Sequence, residues 1–177
     1  MTRPGVQADR FRDLMAAVCA PVTVVTTTTP EGPHGATVSS FASLSLDPPL
    51  VSVAFDNNSS MLARILSSNR FGVNLLSNGQ QDIATTFASR SEDRFAGVRW
   101  HFEHGLPRLD GAAGWVECDL DRAVEAGDHT LLFGLVVATS RIETAPLIYV
   151  HRTFGTHSRF NERPRALIVD QIAACAS

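Results

Sequence analysis

The residues from His34 to Phe55 read HGATVSSFASLSLDPPLVSVAF, and many of them are too small for an ordinary core strand. Gly35, Ala36, Ser39, Ser40, Ala42 and Ser43 leave backbone N–H and C=O groups open to a flat ligand, because no bulky Cβ substituent stands in the way. The same composition suits a barrel strand with a bulge and a tight turn, and residue types alone do not separate the two. A second group, Gly127, Asp128 and His129, stands directly before a long apolar run. Taken alone, it is a hairpin turn followed by a structural histidine. Two other arrangements carry less. His101 and His104 form H-x-x-H, but on a strand that spacing sends the two rings to opposite faces. With no cysteine or carboxylate cluster beside them, no metal site is expected. Ser39 and Ser40 lack the G-x-S-x-G elbow that exposes a hydrolase nucleophile.

The elements that must position these residues are mostly strands. Residues 9–19 have the period of an amphipathic helix, with Phe11, Leu14, Met15 and Val18 on one face. Pro21 ends it, and VTVVTTTT (22–29) is β-branched throughout. PEGP (30–33) reads as a turn, and a strand from His34 is stopped by LDPP (46–49). Another strand follows from Leu50 to Phe55. Asn58 or Ser59 then caps a short helix, SMLARIL. FGVNLL returns to strand, QQDIATTFA is a second short helix, and the charged SRSEDRF follows. VRWHFEH, GWVECDLDRAVEA, HTLLFGLVVATSRIE and LIYVH are β in pattern, and ALIVDQIAACA near the end is expected as a helix or a frayed tail. Short helices interrupt strands without alternating regularly with them, which favours an antiparallel barrel, closed or half-open. A Rossmann reading fails because no G-x-G-x-x-G opens a helix after a strand.

Composition narrows the classes further. A chain of 177 residues with 44% hydrophobic content is sized for one packed domain. Its net charge of -3 argues against nucleic-acid binding, which needs a basic face. No apolar run is long enough to span a membrane. LMAAVCAPVTVV (14–25) is the nearest approach to a signal segment, but mixed charges precede it and Pro21 breaks it. Cys19, Cys118 and Cys175 are odd in number and widely spaced, which suits reduced thiols in the cytoplasm.

Four segments then point the same way. GATVSSFASLSLDPPLVSVAF is similar to the signature of the short-chain flavin reductases, the reductase components that feed two-component flavin monooxygenases. FASRSEDRFAG (87–97), EAGDHTLLFGLV and YVHRTFG (149–155) resemble later motifs of that family, in the right order, and together the four span about residues 10–157. The resemblance implies a mainly β, FMN-binding split β-barrel, antiparallel and Greek-key, with short flanking helices, in a single domain 1–177 with a tail at 158–177. It implies a cytoplasmic homodimer that passes hydride from NADH, or NADPH, to FMN or FAD and supplies reduced flavin to a partner monooxygenase. The flavin ring would rest on Thr37, Val38, Ser39 and Ser40, with backbone contacts from Ala54, Phe55, Asp56 and Asn57. Ser59, Ser60, Ser89 and Arg90 would hold its phosphate, with Ala88 and Phe95 also in the cofactor site. Gly127, Asp128 and His129 would meet the nicotinamide, with His129 as the catalytic candidate. Tyr149, His151, Arg152, Phe154 and Gly155 would complete the dinucleotide site.

The chain departs from the family where CAPVTVV lacks a glycine before the first strand, and at Ala54-Phe55, where many relatives carry cysteine or another small residue. The alternative from another class is a non-catalytic flavin-binding protein on the same barrel, for storage or redox sensing. A relative of the pyridoxamine-phosphate oxidases would share the barrel but not the late motifs. The G-D-H and YVHR segments favour the enzyme, since storage has no use for a nicotinamide site.

Overall fold

The computed structural model describes residues 6–91 and 93–157. Its elements in chain order are α1 (Ala8–Ala16), β1 (Ala20–Pro21), β2 (Thr23–Thr29), β3 (Gly32–Val38), β4 (Ala42–Leu46), β5 (Pro49–Asp56), α2 (Ser60–Ser68) and β6 (Arg70–Leu75). Then follow α3 (Gln81–Ala88), β7 (Trp100–Glu103), β8 (Leu106–Leu109), β9 (Gly114–Ala126), β10 (His129–Arg141), β11 (Ile148–Val150) and β12 (Thr153–Gly155).

The β-branched run of β2 is buried on both faces, and the sheet is built around it. Val25 faces one apolar cluster with Val53, Ile65, Phe71, Val73 and Leu132. Its neighbour Val24 faces a second cluster with Leu76, Phe87, Leu109 and Leu147. Alternation along one strand produces that division. The β2 threonines are satisfied where they are buried: Thr26 Oγ1 donates to the Pro107 carbonyl at 2.7 Å and Thr27 Oγ1 to the Arg70 carbonyl at 2.8 Å. One antiparallel sheet runs in the order β3-β2-β6-β9-β10-β5-β4. It curls so that β3 comes back against β5, the half-open barrel expected from the pattern. Sheets β1-β11-β12 and β7-β8 lie beside it.

Gly72 has a packing role. A Cβ there would lie 1.9 Å from the Trp115 ring, which is 1% exposed. Gly72→Ala should therefore destabilise the fold by about 1–3 kcal/mol or more, because the buried indole must shift to admit the methyl group. A thermal melt should show Tm lower by roughly 2–4 °C for each kcal/mol lost; an unchanged Tm would mean the ring repacks freely.

The structure differs from expectation at several points. The strand expected from His34 starts at Gly32 and breaks after Val38, where its β2 partner ends at Thr23. The chain then crosses to pair with β5 as β4. The turn at 30–33 contracts accordingly, and Pro33 lies on an edge strand, where its missing N–H costs no ladder bond. β8 and β12 carry Pro107 and Gly155, which masked them in the sequence. β7 ends at Glu103, and His104 falls in the following turn with φ of 49°. His101 sits on Asp110 at 2.9 Å and His104 on Glu117 at 2.6 Å, two separate hydrogen-bonded contacts. α1 forms, yet Phe11, Leu14, Met15 and Val18 all stay exposed. Among the described residues no helix is long and apolar enough to cross a membrane. The expected helix or frayed end at 166–176 lies outside the described residues.

Candidate active site

Two segments read separately in the sequence form one structure at the end of the barrel. His129 pairs opposite Asp56, so the start of β10 lies beside the end of β5. Asn57 fastens them. Its N–H donates to the Asp128 carbonyl at 3.0 Å and its Nδ2 to the Gly127 carbonyl at 3.2 Å. Its Oδ1 accepts the Thr130 hydroxyl at 2.8 Å. Gly127 has φ of 67°, a left-handed position where glycine bears no Cβ penalty. The His129 ring is exposed, with Nδ1 2.8 Å from Asp128 Oδ1. That hydrogen bond, and then the nearby imidazole charge, holds the Asp128 carboxyl below its ordinary pKa.

The segment at 37–40 is held from both sides. Thr37 Oγ1 donates to the Ala84 carbonyl on α3 at 2.7 Å, and the Val38 carbonyl accepts the Thr23 hydroxyl at 3.0 Å. Ser39 is exposed. Ser40 Oγ donates to the Ala54 carbonyl at 3.1 Å and accepts the Ala54 N–H at 2.9 Å. This hydroxyl therefore extends the ladder beyond the end of β4 and joins 37–40 to 54–57. Ala54 and Asp56 are on the outer face of β5, and Phe55, 4% exposed, points into the core. Phe55 can therefore offer a ligand only its backbone. Gly35 has a different reason to be small from the one its sequence context suggested. A Cβ there would lie 2.6 Å from the Phe87 ring, so the glycine seats Phe87.

Beside this bed lies a cavity of about 260 Å³ lined by His34, Ser60, Arg64, Ser91, Arg94 and Phe95. Arg94 Nη1 donates to the Gly35 carbonyl at 2.8 Å, while its Nε is buried with no partner. Arg64 Nη1 donates to Ser60 Oγ at 3.0 Å, and the His34 Nε2 lies 2.8 Å from Thr29 Oγ1. Burial first, and the Arg64 charge second, lower the His34 pKa. Phe95 anchors this loop edge-to-face against Phe87 and Trp100, each at 4.9 Å. Among the described residues no carboxylate lines the cavity, the start of α2 faces it through Ser60, and an orphaned buried donor stands in its wall. That donor set suits a phosphate.

Ser59 and Ser89 do structural work. Ser59 caps α2 by accepting the Met61 N–H at 3.2 Å. Ser89 ends α3, donating to the Thr86 carbonyl at 2.7 Å and accepting the Ser91 N–H at 3.2 Å. Ala88 and Arg90 are exposed, and Arg90 is not among the residues lining the cavity. Arg94, missed in the sequence reading, takes that place. The signal was present, since FASRSEDRF carries both arginines, but spacing on a loop does not say which one turns inward.

The β11–β12 hairpin belongs to the other sheet. The Tyr149 and Phe154 rings pack at 5.0 Å, and His151 and Arg152 have left-handed φ of 50° and 59° in the turn between them. The His151 N–H donates to the Ala16 carbonyl. Arg152 Nη2 lies 2.6 Å from Asp13 Oδ1, and this bond raises the guanidinium pKa further. Gly155 ends β12 with open space where a Cβ would be. Among the described residues no recorded hydrogen bond or ring contact joins this hairpin to Gly127–His129.

Comparison with known proteins gives a consistent picture. Residues 15–158 match the flavin reductase like domain. The chain is 38% identical over 158 residues to FMN reductase (NADH) SmoA of Agrobacterium fabrum, covering 88% of this chain and 90% of that protein. It is 43% identical over 140 residues to a probable flavin reductase of Rhizobium meliloti, with 78% of this chain covered but only 45% of that longer protein. Among solved structures it resembles the NADH:FAD oxidoreductase of Streptomyces globisporus in complex with NAD and FAD fragments. The TM-score there is 0.84, with 31% identity over 91% of this chain and 100% of that one. The styrene monooxygenase flavin reductase of Pseudomonas putida gives a TM-score of 0.77 and 33% identity, over 89% and 99% of the two chains.

Proposed function

The chain belongs to the family of flavin reductase like domains, and we propose that it transfers hydride from NADH to FMN or FAD and releases the reduced flavin to a separate monooxygenase component. The observation that carries this reading is the Asn57 junction, which holds the 54–57 bed and the Gly127–His129 turn in one register. A reaction between two bound rings needs that above all, since orientation supplies much of the rate. Flavin, when bound, supplies the electron-accepting ring chemistry, and the chain supplies position.

In this reading Thr37–Ser40 and Ala54–Asn57 form the ring bed, and Ser60, Ser91 and Arg94 hold the phosphate. His129 lines the nicotinamide face with Gly127 and Asp128. Ser59 and Ser89 act indirectly, by fixing the ends of α2 and α3. Arg152 would meet the dinucleotide with the donors that its Asp13 pair leaves open, with Tyr149, His151, Phe154 and Gly155 shaping that side.

The active unit is proposed as a homodimer built on one domain per chain. The uncovered α1 face, with Phe11 and Leu14, and the exposed Leu44, Leu46 and Val137 supply apolar surface for a second copy. The cytoplasm suits its free thiols: Cys19 is exposed, and burial pushes the Cys118 thiol up to about 12 and makes it inert.

The purified protein should oxidise NADH only when flavin is supplied, with a rate that saturates in both. NADH consumption without any flavin would overturn the reading.

A further inference from the structure

We infer that the cavity beside α2 is built for a pyrophosphate rather than a single phosphate, so that Arg64 and His34 select FAD over FMN. This rests on the flavin reading given above. The cavity's donors stand in two tiers. Counting back from Thr37 along β3, Gly35 lies about 7 Å and His34 about 10 Å from the edge of the ring bed. Arg64 lies about 6 Å further along α2 than Ser60. The inner tier is Arg94, on the Gly35 carbonyl, with the Ser60 and Ser91 hydroxyls. The outer tier is Arg64 with the His34 imidazole.

Charge follows the same division. The phosphate of FMN concentrates nearly two negative charges on one phosphorus. A pyrophosphate diester carries one on each of two neighbours, which matches two guanidinium groups placed in succession. The Arg64–Ser60 bond of 3.0 Å shows that the tiers adjoin. Glu31 stands behind His34, on the Thr29 hydroxyl, and does not line the cavity. Ser60 and Ser91 are exposed and Arg64 half-buried, so the cavity opens to solvent, where an adenosine would extend.

The test is equilibrium binding of riboflavin, FMN and FAD, followed by flavin fluorescence, with wild type, Arg64→Ala and Arg64→Gln. Wild type should bind FAD more tightly than FMN. Both substitutions should weaken FAD by about tenfold or more, while FMN changes by less than about threefold and riboflavin stays constant. Equal loss of FMN and FAD would place Arg64 on the phosphate they share and overturn the inference, as would no loss of either. The flavin reading has its own readout: FMN or FAD that binds wild type and is reduced by NADH upholds it whatever Arg64 does. Failure of all three flavins to bind wild type and to be reduced would sink the reading and the inference together.

Discussion

Replacing Arg94 with alanine should weaken FMN and FAD by about tenfold or more and leave riboflavin within about twofold of wild type. The expectation starts from the orphaned Nε, buried in the cavity wall without a partner. A buried donor of a charged group is costly to leave unmade, and a ligand phosphate oxygen would satisfy it. A hydrogen bond to a charged group contributes about 1.5–3 kcal/mol, and each 1.4 kcal/mol is a factor of ten. Riboflavin has the ring and ribityl chain without the phosphate, so it reports any collapse of the loop that loss of the Gly35 bond causes. Arg90→Ala is the companion measurement. Its guanidinium is exposed and outside the cavity lining, so all three flavins should bind it nearly as they bind wild type. Loss through Arg90 with no loss through Arg94 would reassign the phosphate site.

His129→Ala should leave flavin affinity near wild type and slow NADH-dependent flavin reduction, or weaken NADH, by about tenfold or more. The ring lies at the first residue of β10, exposed and steered by Asp128, next to the end of the bed but outside it. Its removal touches neither the Ser40–Ala54 junction nor the Arg94 cavity. Asp128 should lose the bond that lowers its pKa, without structural consequence at an exposed turn. Anaerobic stopped-flow bleaching of oxidised flavin separates the effects on rate and on saturation. Unchanged reduction with normal NADH saturation would make His129 a turn residue and strengthen the non-catalytic flavoprotein reading.

Much of this was legible in the residues, for identifiable reasons. The β-branched run of β2, the apolar run of β10 and the Gly127-Asp128 turn are local signals, and the fold places each where its pattern implied. The ordered motifs gave the family. What stayed hidden depends on contacts distant in sequence. Gly35 is small because of Phe87 and Gly72 because of Trp115, and neither partner is near in the chain. Ser40 was named as a ligand contact, and the sequence did not show that its hydroxyl also extends the β4–β5 ladder onto Ala54. Asn57 was named for its backbone, while its side chain locks the turn at 127–130. Arg90 and Arg94 are equivalent in a motif, and only the loop's path, fixed by Phe95 between Phe87 and Trp100, sends Arg94 inward. Phe11, Leu14 and Met15 lie on α1 as expected, while the helix ends at Ala16 and leaves Val18 beyond it, and an apolar stripe does not state what covers it.

The central claim is that flavin is turned over as a substrate and not merely stored, and one anaerobic measurement tests it. A catalytic amount of protein is mixed with excess FAD or FMN and limiting NADH, and flavin and NADH absorbance are followed together. The account predicts that flavin far beyond one equivalent per chain is bleached, one flavin for each NADH oxidised, until the NADH is gone. Bleaching that stops at one flavin per chain, or NADH left untouched, would contradict it.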